Sequence, residues 1–138
     1  MKNLKAKLRR DGGFTLVEML IVVAIIAILI AVSIPMISAN LEKAREATDN
    51  ANERAAVGAA IIAYMDGTQE ATTGIAADGG TSYYHITNGK GELKAAAPAA
   101  KDAYGQSTSA GEVGDHVGYW IKLVVDADGN VTSSWVNS

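Results

Sequence analysis

Residues 9–35 read RRDGGFTLVEMLIVVAIIAILIAVSIP, and the meaning of this stretch decides the fold of everything attached to it. Gly12 and Gly13 separate a basic run from an apolar block, Phe14 to Ile34, of 21 residues with a single charge, the carboxylate of Glu18. As a helix this block rises about 31 Å, close to the roughly 30 Å hydrocarbon thickness of a bilayer, so it spans once. The first thirteen residues carry Lys2, Lys5, Lys7, Arg9 and Arg10 against Asp11 alone. Basic groups beside a transmembrane segment hold that end in the cytoplasm, which predicts N-terminus in and C-terminal body out.

Two simpler uses of such a block leave Glu18 unexplained. An ordinary secretory signal, cut near Ala31 and Ser33, has an apolar core of about 7 to 15 residues, shorter than this one. A plain single-pass anchor has no use for a carboxylate, which at the bilayer centre costs on the order of 2.5 to 3.5 kcal/mol on insertion scales. No basic side chain follows Glu18 within a turn. A cut after Gly13 would supply one partner: a new ammonium on Phe14, four residues away, at the positive end of the helix dipole.

The stretch from Gly13 to about Pro35, with the basic leader before it, closely resembles the class III signal and N-terminal helix of type IV prepilins and the related pseudopilins. The resemblance implies that a prepilin peptidase removes residues 1–13 by cleaving after Gly13 and that Phe14 is then N-methylated. It makes Glu18 the acidic fifth residue of the mature chain, neutralising the Phe14 ammonium of a neighbouring subunit; a same-chain pairing is equally within reach by spacing. Pro35 stands where many members have a helix-bending proline. It lacks the N–H that would bond the carbonyl of Ala31, so a bend or local melting is expected there.

Beyond Pro35 the helical pattern continues. Leu41, Ala44, Thr48, Ala51, Ala55, Gly58, Ile62 and Met65 alternate spacings of three and four, which predicts that they form the face packed on the domain. Glu42, Arg45, Glu46, Asp49, Glu53 and Arg54 are then expected on the opposite surfaces. Asp66 and Gly67 supply the stop. The result is one helix of about 50 residues, roughly 75 Å long. Its apolar half, 14–39, protrudes and its amphipathic half, 40–66, is buried on one side by the domain, the lollipop shape that pilins resemble.

Residues 67–117 are rich in Gly, Ala, Thr and Ser. Within them TSYYHIT, bounded by DGG and NGKG, reads as a strand, and APAAKDAYG as a short helix with Pro98 in its first turn and Gly105 as its stop. The final segment, 118–136, reads as a β-hairpin turning at Asp128-Gly129. Trp120, Leu123 or Val124, Val131 and Trp135 are expected on its apolar side, toward the long helix. The fold class is therefore α+β: a long N-terminal helix packed on a small antiparallel sheet, with residues 40–138 as the globular domain.

Chemistry-bearing residues beyond Glu18 are sparse. Asp126 and Asp128 in DADGN are spaced as a calcium loop might space them, but the other EF-hand ligands are missing, so a turn is the expected reading and the two are weak metal candidates. His85 and His116 have no patterned partner and read as surface or strand histidines rather than ligands. Tyr83 and Tyr84 suit either an adhesive surface or the core. The serines lack a nucleophile motif, NGKG lacks phosphate-loop spacing, and no cofactor or enzyme activity is expected. There is no cysteine, hence no disulfide or thiolate metal site. The chain carries a net charge of −3, and the residues after Gly13 hold seven basic against fourteen acidic groups, which argues against direct nucleic-acid binding.

Together these readings predict a structural subunit of an extracellular type IV pilus, a fimbrial filament serving surface adhesion and twitching motility. Its partners are further copies of itself, the prepilin peptidase and the pilus assembly platform of the cytoplasmic membrane. A pseudopilin of a type II secretion system or a competence pilin is the alternative within the family. A single-pass, membrane-anchored binding module is the alternative of another class.

Overall fold

A computed structural model describes residues 13–137. Most of the leader therefore lies outside the described residues. The chain divides into two units, one up to Ser38 and one from Ala39 onward. Helix α1, Leu16–Asp66, supplies the whole described helix of the first unit and one layer of the second.

In the first unit every residue from 13 to 38 is exposed, including its Leu, Ile, Val and Met side chains. The hydroxyls in this apolar stretch are turned back on the backbone: Ser33 Oγ donates to Leu29 O at 2.7 Å and Ser38 Oγ to Ile34 O at 3.1 Å. Such back-bonding satisfies a polar group that would otherwise be costly in hydrocarbon. Helix α1 continues without a break through Pro35, so the local melting expected there does not occur.

In the second unit α1 ends at Asp66, where Gly67 takes φ +62° and its N–H bonds Ala63 O at 3.0 Å. A short helix α2, Glu70–Thr73, leads to a five-stranded antiparallel sheet: β1 Ile75–Ala76, β2 Gly79–Thr87, β3 Lys90–Lys94, β4 Trp120–Val125 and β5 Val131–Val136. Strand β2 is central. One of its edges pairs with β4, which pairs with β5, and the other edge pairs with β1 and then β3.

The core is built from small residues on the helix and large ones on the sheet. Ala56, Ala60 and Ala63 let α1 approach closely, and Ile75, Tyr84, Leu93, Ile121, Leu123 and Val125 fill the space from the other side. Tyr104, from the long β3–β4 connection, donates its hydroxyl to Tyr84 O at 2.8 Å and accepts from Ile121 N at 3.0 Å, closing the ladder between β2 and β4. Burial pushes this phenol up, well above its ordinary range.

Several expectations are corrected here. The residues of α1 that are buried are Glu42, Asp49, Ala56, Ala60 and Ala63, whereas Leu41, Ala44, Ala51, Ala55, Ile62 and Met65 are exposed. At about 100° per residue the two sets lie on nearly opposite sides of the helix. Apolar spacing pointed to the wrong side because the buried side is lined by alanines and by carboxylates whose partners come from distant loop backbone. In the hairpin, strand parity decides the faces: Ile121, Leu123 and Val125 point to the core with Val131 and Trp135, so Trp120 and Val124 belong to the other face. Trp120 is nevertheless buried, beside Tyr83, Pro98 and Val136, and its Nε1 makes no hydrogen bond among the described residues. The two tyrosines likewise split, Tyr84 into the core and Tyr83 to the outer face.

Strand β2 is longer than expected, at nine residues. Asn88 and Gly89, with φ +52° and +73°, turn it into β3, a strand unforeseen because KGELK has little but Leu93 to mark it. The expected helix near Pro98 is reduced to a single 3-10 turn, Ala100–Asp102, which begins after the proline and ends before Gly105.

Candidate functional site

The helix start is built by Thr15 and Glu18. Thr15 sits just before α1; its N–H donates to Glu18 Oε2 at 2.7 Å and its hydroxyl donates to the same oxygen at 2.9 Å, while the Glu18 N–H lies 3.1 Å from Thr15 Oγ1. This is a capping box, in which a threonine and the glutamate three residues on satisfy each other's orphan N–H groups. Thr15-Leu16-Val17-Glu18 carries that signature in the sequence, and it gives Glu18 a partner inside one chain that the charge pattern alone did not suggest. The other oxygen, Oε1, accepts no hydrogen bond among the described residues. Gly13 and Phe14 precede the cap in open coil, and Phe14 is 80% exposed. The Gly13-Phe14 junction thus lies directly beside a fixed helix end.

A second constellation lies on α1 within the second unit. Glu42, Glu46, Asp49 and Glu53 recur at spacings of four, three and four, one side of a helix. Glu42 accepts the Thr108 N–H, and Glu46 accepts those of Glu112 and Val113. Asp49 accepts the Gln106 N–H at 3.0 Å and the Ser107 N–H at 2.8 Å, and Glu53 accepts the Ser133 hydroxyl at 2.5 Å. The four carboxylates therefore hold the loop 106–113 and strand β5 against the helix. The Thr108 amide, with a smaller contribution from Arg45 at 3.2 Å, holds the Glu42 carboxyl below the usual carboxylate range. A Cβ at Gly111 would lie 2.0 Å from Glu46 Oε1, so a side chain there would displace the Glu46 carboxylate from this contact.

Asp49 also faces His116, whose Nδ1 lies 3.3 Å from Asp49 Oδ2 and 3.0 Å from Ser107 Oγ. A carboxylate can only accept, so Nδ1 is the protonated nitrogen. The ring stacks on Trp135 at 4.3 Å. His116 is thus a buried, partnered residue and not a surface one. Serine, histidine and aspartate together invite comparison with a nucleophile triad, but that arrangement uses the two ring nitrogens for different partners. Here Ser107 and Asp49 share one, and Ser107 is fully buried, so the cluster serves as a clamp.

Asp126 is occupied by its own turn. Its carboxylate accepts Asn130 Nδ2 at 2.8 Å and the N–H groups of Asn130 and Asp128, both at 2.9 Å, which holds its carboxyl below the usual range. Asp128 enters this turn through its backbone, not its side chain. No group of three metal-ligating side chains occurs among the described residues. His85 lies on β2, with Nε2 at 2.8 Å from Ala96 O.

A long apolar-to-amphipathic N-terminal helix and a small antiparallel sheet define an α+β, pilin-like architecture. Within it, residues 8–34 match the family model of the prokaryotic N-terminal methylation motif, the class III signal of type IV pilins. No curated protein sequence and no solved structure matches the chain. Among the described residues, α1 is the helix long and apolar enough to cross a membrane.

Proposed function

We propose that the chain is a structural subunit of an extracellular type IV pilus. It inserts once in the cytoplasmic membrane with its N-terminus inside, is cleaved after Gly13 by the prepilin peptidase, is methylated at Phe14, and polymerises through its N-terminal helix. The observation that carries this reading is the methylation motif at 8–34, running into a helix whose residues 16–38 are all exposed. Bundling these side chains away from water, first in lipid and then against other copies, supplies the cohesion. Glu18 sets the register. Its Oε2 is engaged by Thr15 within the chain, which leaves Oε1 to accept the Phe14 ammonium of a neighbour. Adhesion and motility are the roles that such a surface filament serves.

The Thr15 cap favours a second reading, a membrane-anchored binding module, because it gives Glu18 a use that needs no polymer. The Gly13-Phe14 junction separates the two. Mass spectrometry of the N-terminus in sheared surface material decides: abundant N-methylated Phe14 supports the pilus subunit. An intact Met1 in the membrane fraction, with nothing sheared, would support the anchor.

A further inference from the structure

The face of the sheet turned away from α1 carries a hollow of about 320 Å³ between Tyr83, Pro98, Trp120, Lys122, Val136 and Asn137. Strand register builds it. Tyr83 pairs with Lys122 and Trp120 with Val136, so these four side chains rise on one side of the sheet, opposite to Tyr84, Ile121 and Leu123 in the core. Buried Pro98, from the β3–β4 connection, and exposed Asn137, just past β5, complete it.

Its polar groups share one character. The residues after Ser38 hold seven basic and thirteen acidic groups, yet the hollow is lined by a lysine and by no carboxylate. Lys122 makes no ion pair among the described residues, whereas Lys94, on the other side of Tyr83, is met by Glu92 at 2.6 Å. The Trp120 indole, 3% exposed, forms the floor, and its N–H leaves that floor one acceptor short. The hollow therefore calls for an oxygen-rich, anionic partner. Its walls are rings, the phenol of Tyr83 and the pyrrolidine of Pro98, with Val136 beside them, and apolar walls with a few convergent polar groups are how small-molecule sites are built.

We infer that this hollow binds a carboxylated sugar, the uronate unit of an acidic saccharide. The carboxylate meets the Lys122 ammonium, the hydroxyls meet the Asn137 amide and the Tyr83 phenol, and the C–H face of the sugar ring lies against the Tyr83 and Pro98 rings. A bare anion would leave these walls unused, and a neutral sugar would leave Lys122 unused. The inference deepens the adhesive role proposed above and rests on it for one point: a polymer built on α1 turns this face of the sheet outward.

The test titrates the detergent-solubilised full chain with a trimer of galacturonate, a trimer of galactose and acetate, following the indole N–H signals by NMR. The galacturonate trimer should shift the Trp120 signal, leave that of Trp135, packed against the core, in place, and bind about tenfold or more tighter than either control. Lys122→Gln should lose about tenfold in affinity, Lys122→Arg should retain it, and Lys94→Gln should bind as the parent does. Equal binding of the galactose trimer or of acetate would overturn the assignment, as would a loss in Lys94→Gln that matches Lys122→Gln. No polymer takes part in this titration, so its failure leaves the filament reading standing. A chain that binds the trimer but never occurs in sheared material would overturn the filament reading alone.

Discussion

Asp49 and Ser107 are both fully buried, and the Ser107 amide donates to Asp49 Oδ2 at 2.8 Å across 58 positions of sequence. A charge is thereby kept inside the domain by main-chain donors, with the His116 ring as its other neighbour. Removing the carboxylate strands the amides of Gln106 and Ser107 as well as the imidazole. Asp49→Ala should therefore cost about 3 to 5 kcal/mol, as breaking a buried charge–partner set does. Thermal unfolding of the detergent-solubilised chain measures it, and a loss of a few tenths would show that the loop is held by something else.

Acid should release the same loop. Glu42 has a folded pKa below its ordinary 4.5, so it contributes stability that is fully present above that value. The contribution is lost as pH falls through the lowered folded value. Hydrogen exchange at the Thr108 amide should accelerate, relative to amides of β4, as the pH falls through the lowered folded value. Glu42→Gln, which cannot ionise, should exchange faster at neutral pH and lose most of that acid dependence.

The observed cap and the proposed assembly role of Glu18 can be separated. Glu18→Gln keeps an oxygen for Thr15 but has no charge for an ammonium, so the helix start should survive while sheared filament disappears. Thr15→Ala removes the cap, worth about 1 kcal/mol, and should leave filament yield near normal. Glu18→Ala should insert in the membrane as well as the parent, or better, and fail to assemble. Normal filament from Glu18→Gln would show that register is set elsewhere.

Tyr104→Phe tests the closure of the β2–β4 ladder. The ring contacts with Tyr84 and Trp135 are kept, whereas the Ile121 amide and the Tyr84 carbonyl lose their shared hydroxyl. The expected cost is about 1 to 3 kcal/mol in urea unfolding, with an unchanged slope.

The N-terminal motif was legible in the sequence because its chemistry is local: a basic run, a glycine, an aromatic and a glutamate fall within a few turns. The capping box was equally local, and Thr15 with Glu18 shows that its signal was there to be read. The hairpin at Asp128-Gly129 and the helix stop at Gly67 followed from turn residues for the same reason. The buried side of α1 did not. Glu42, Glu46 and Asp49 look like solvated charges until amides 57 to 67 positions away arrive to meet them. Trp120 misled because a tryptophan in a strand suggests the core, whereas its parity with Ile121 sends it to the other face.

The grip on residues 106–108 is made through N–H groups that every amino acid except proline supplies. Gln106, Ser109 and Ala110 point their side chains outward and contribute none of the hold. A segment anchored in this way can drift in sequence while keeping its path. The exposed positions of this segment can therefore change in sequence at little cost to the domain that carries them.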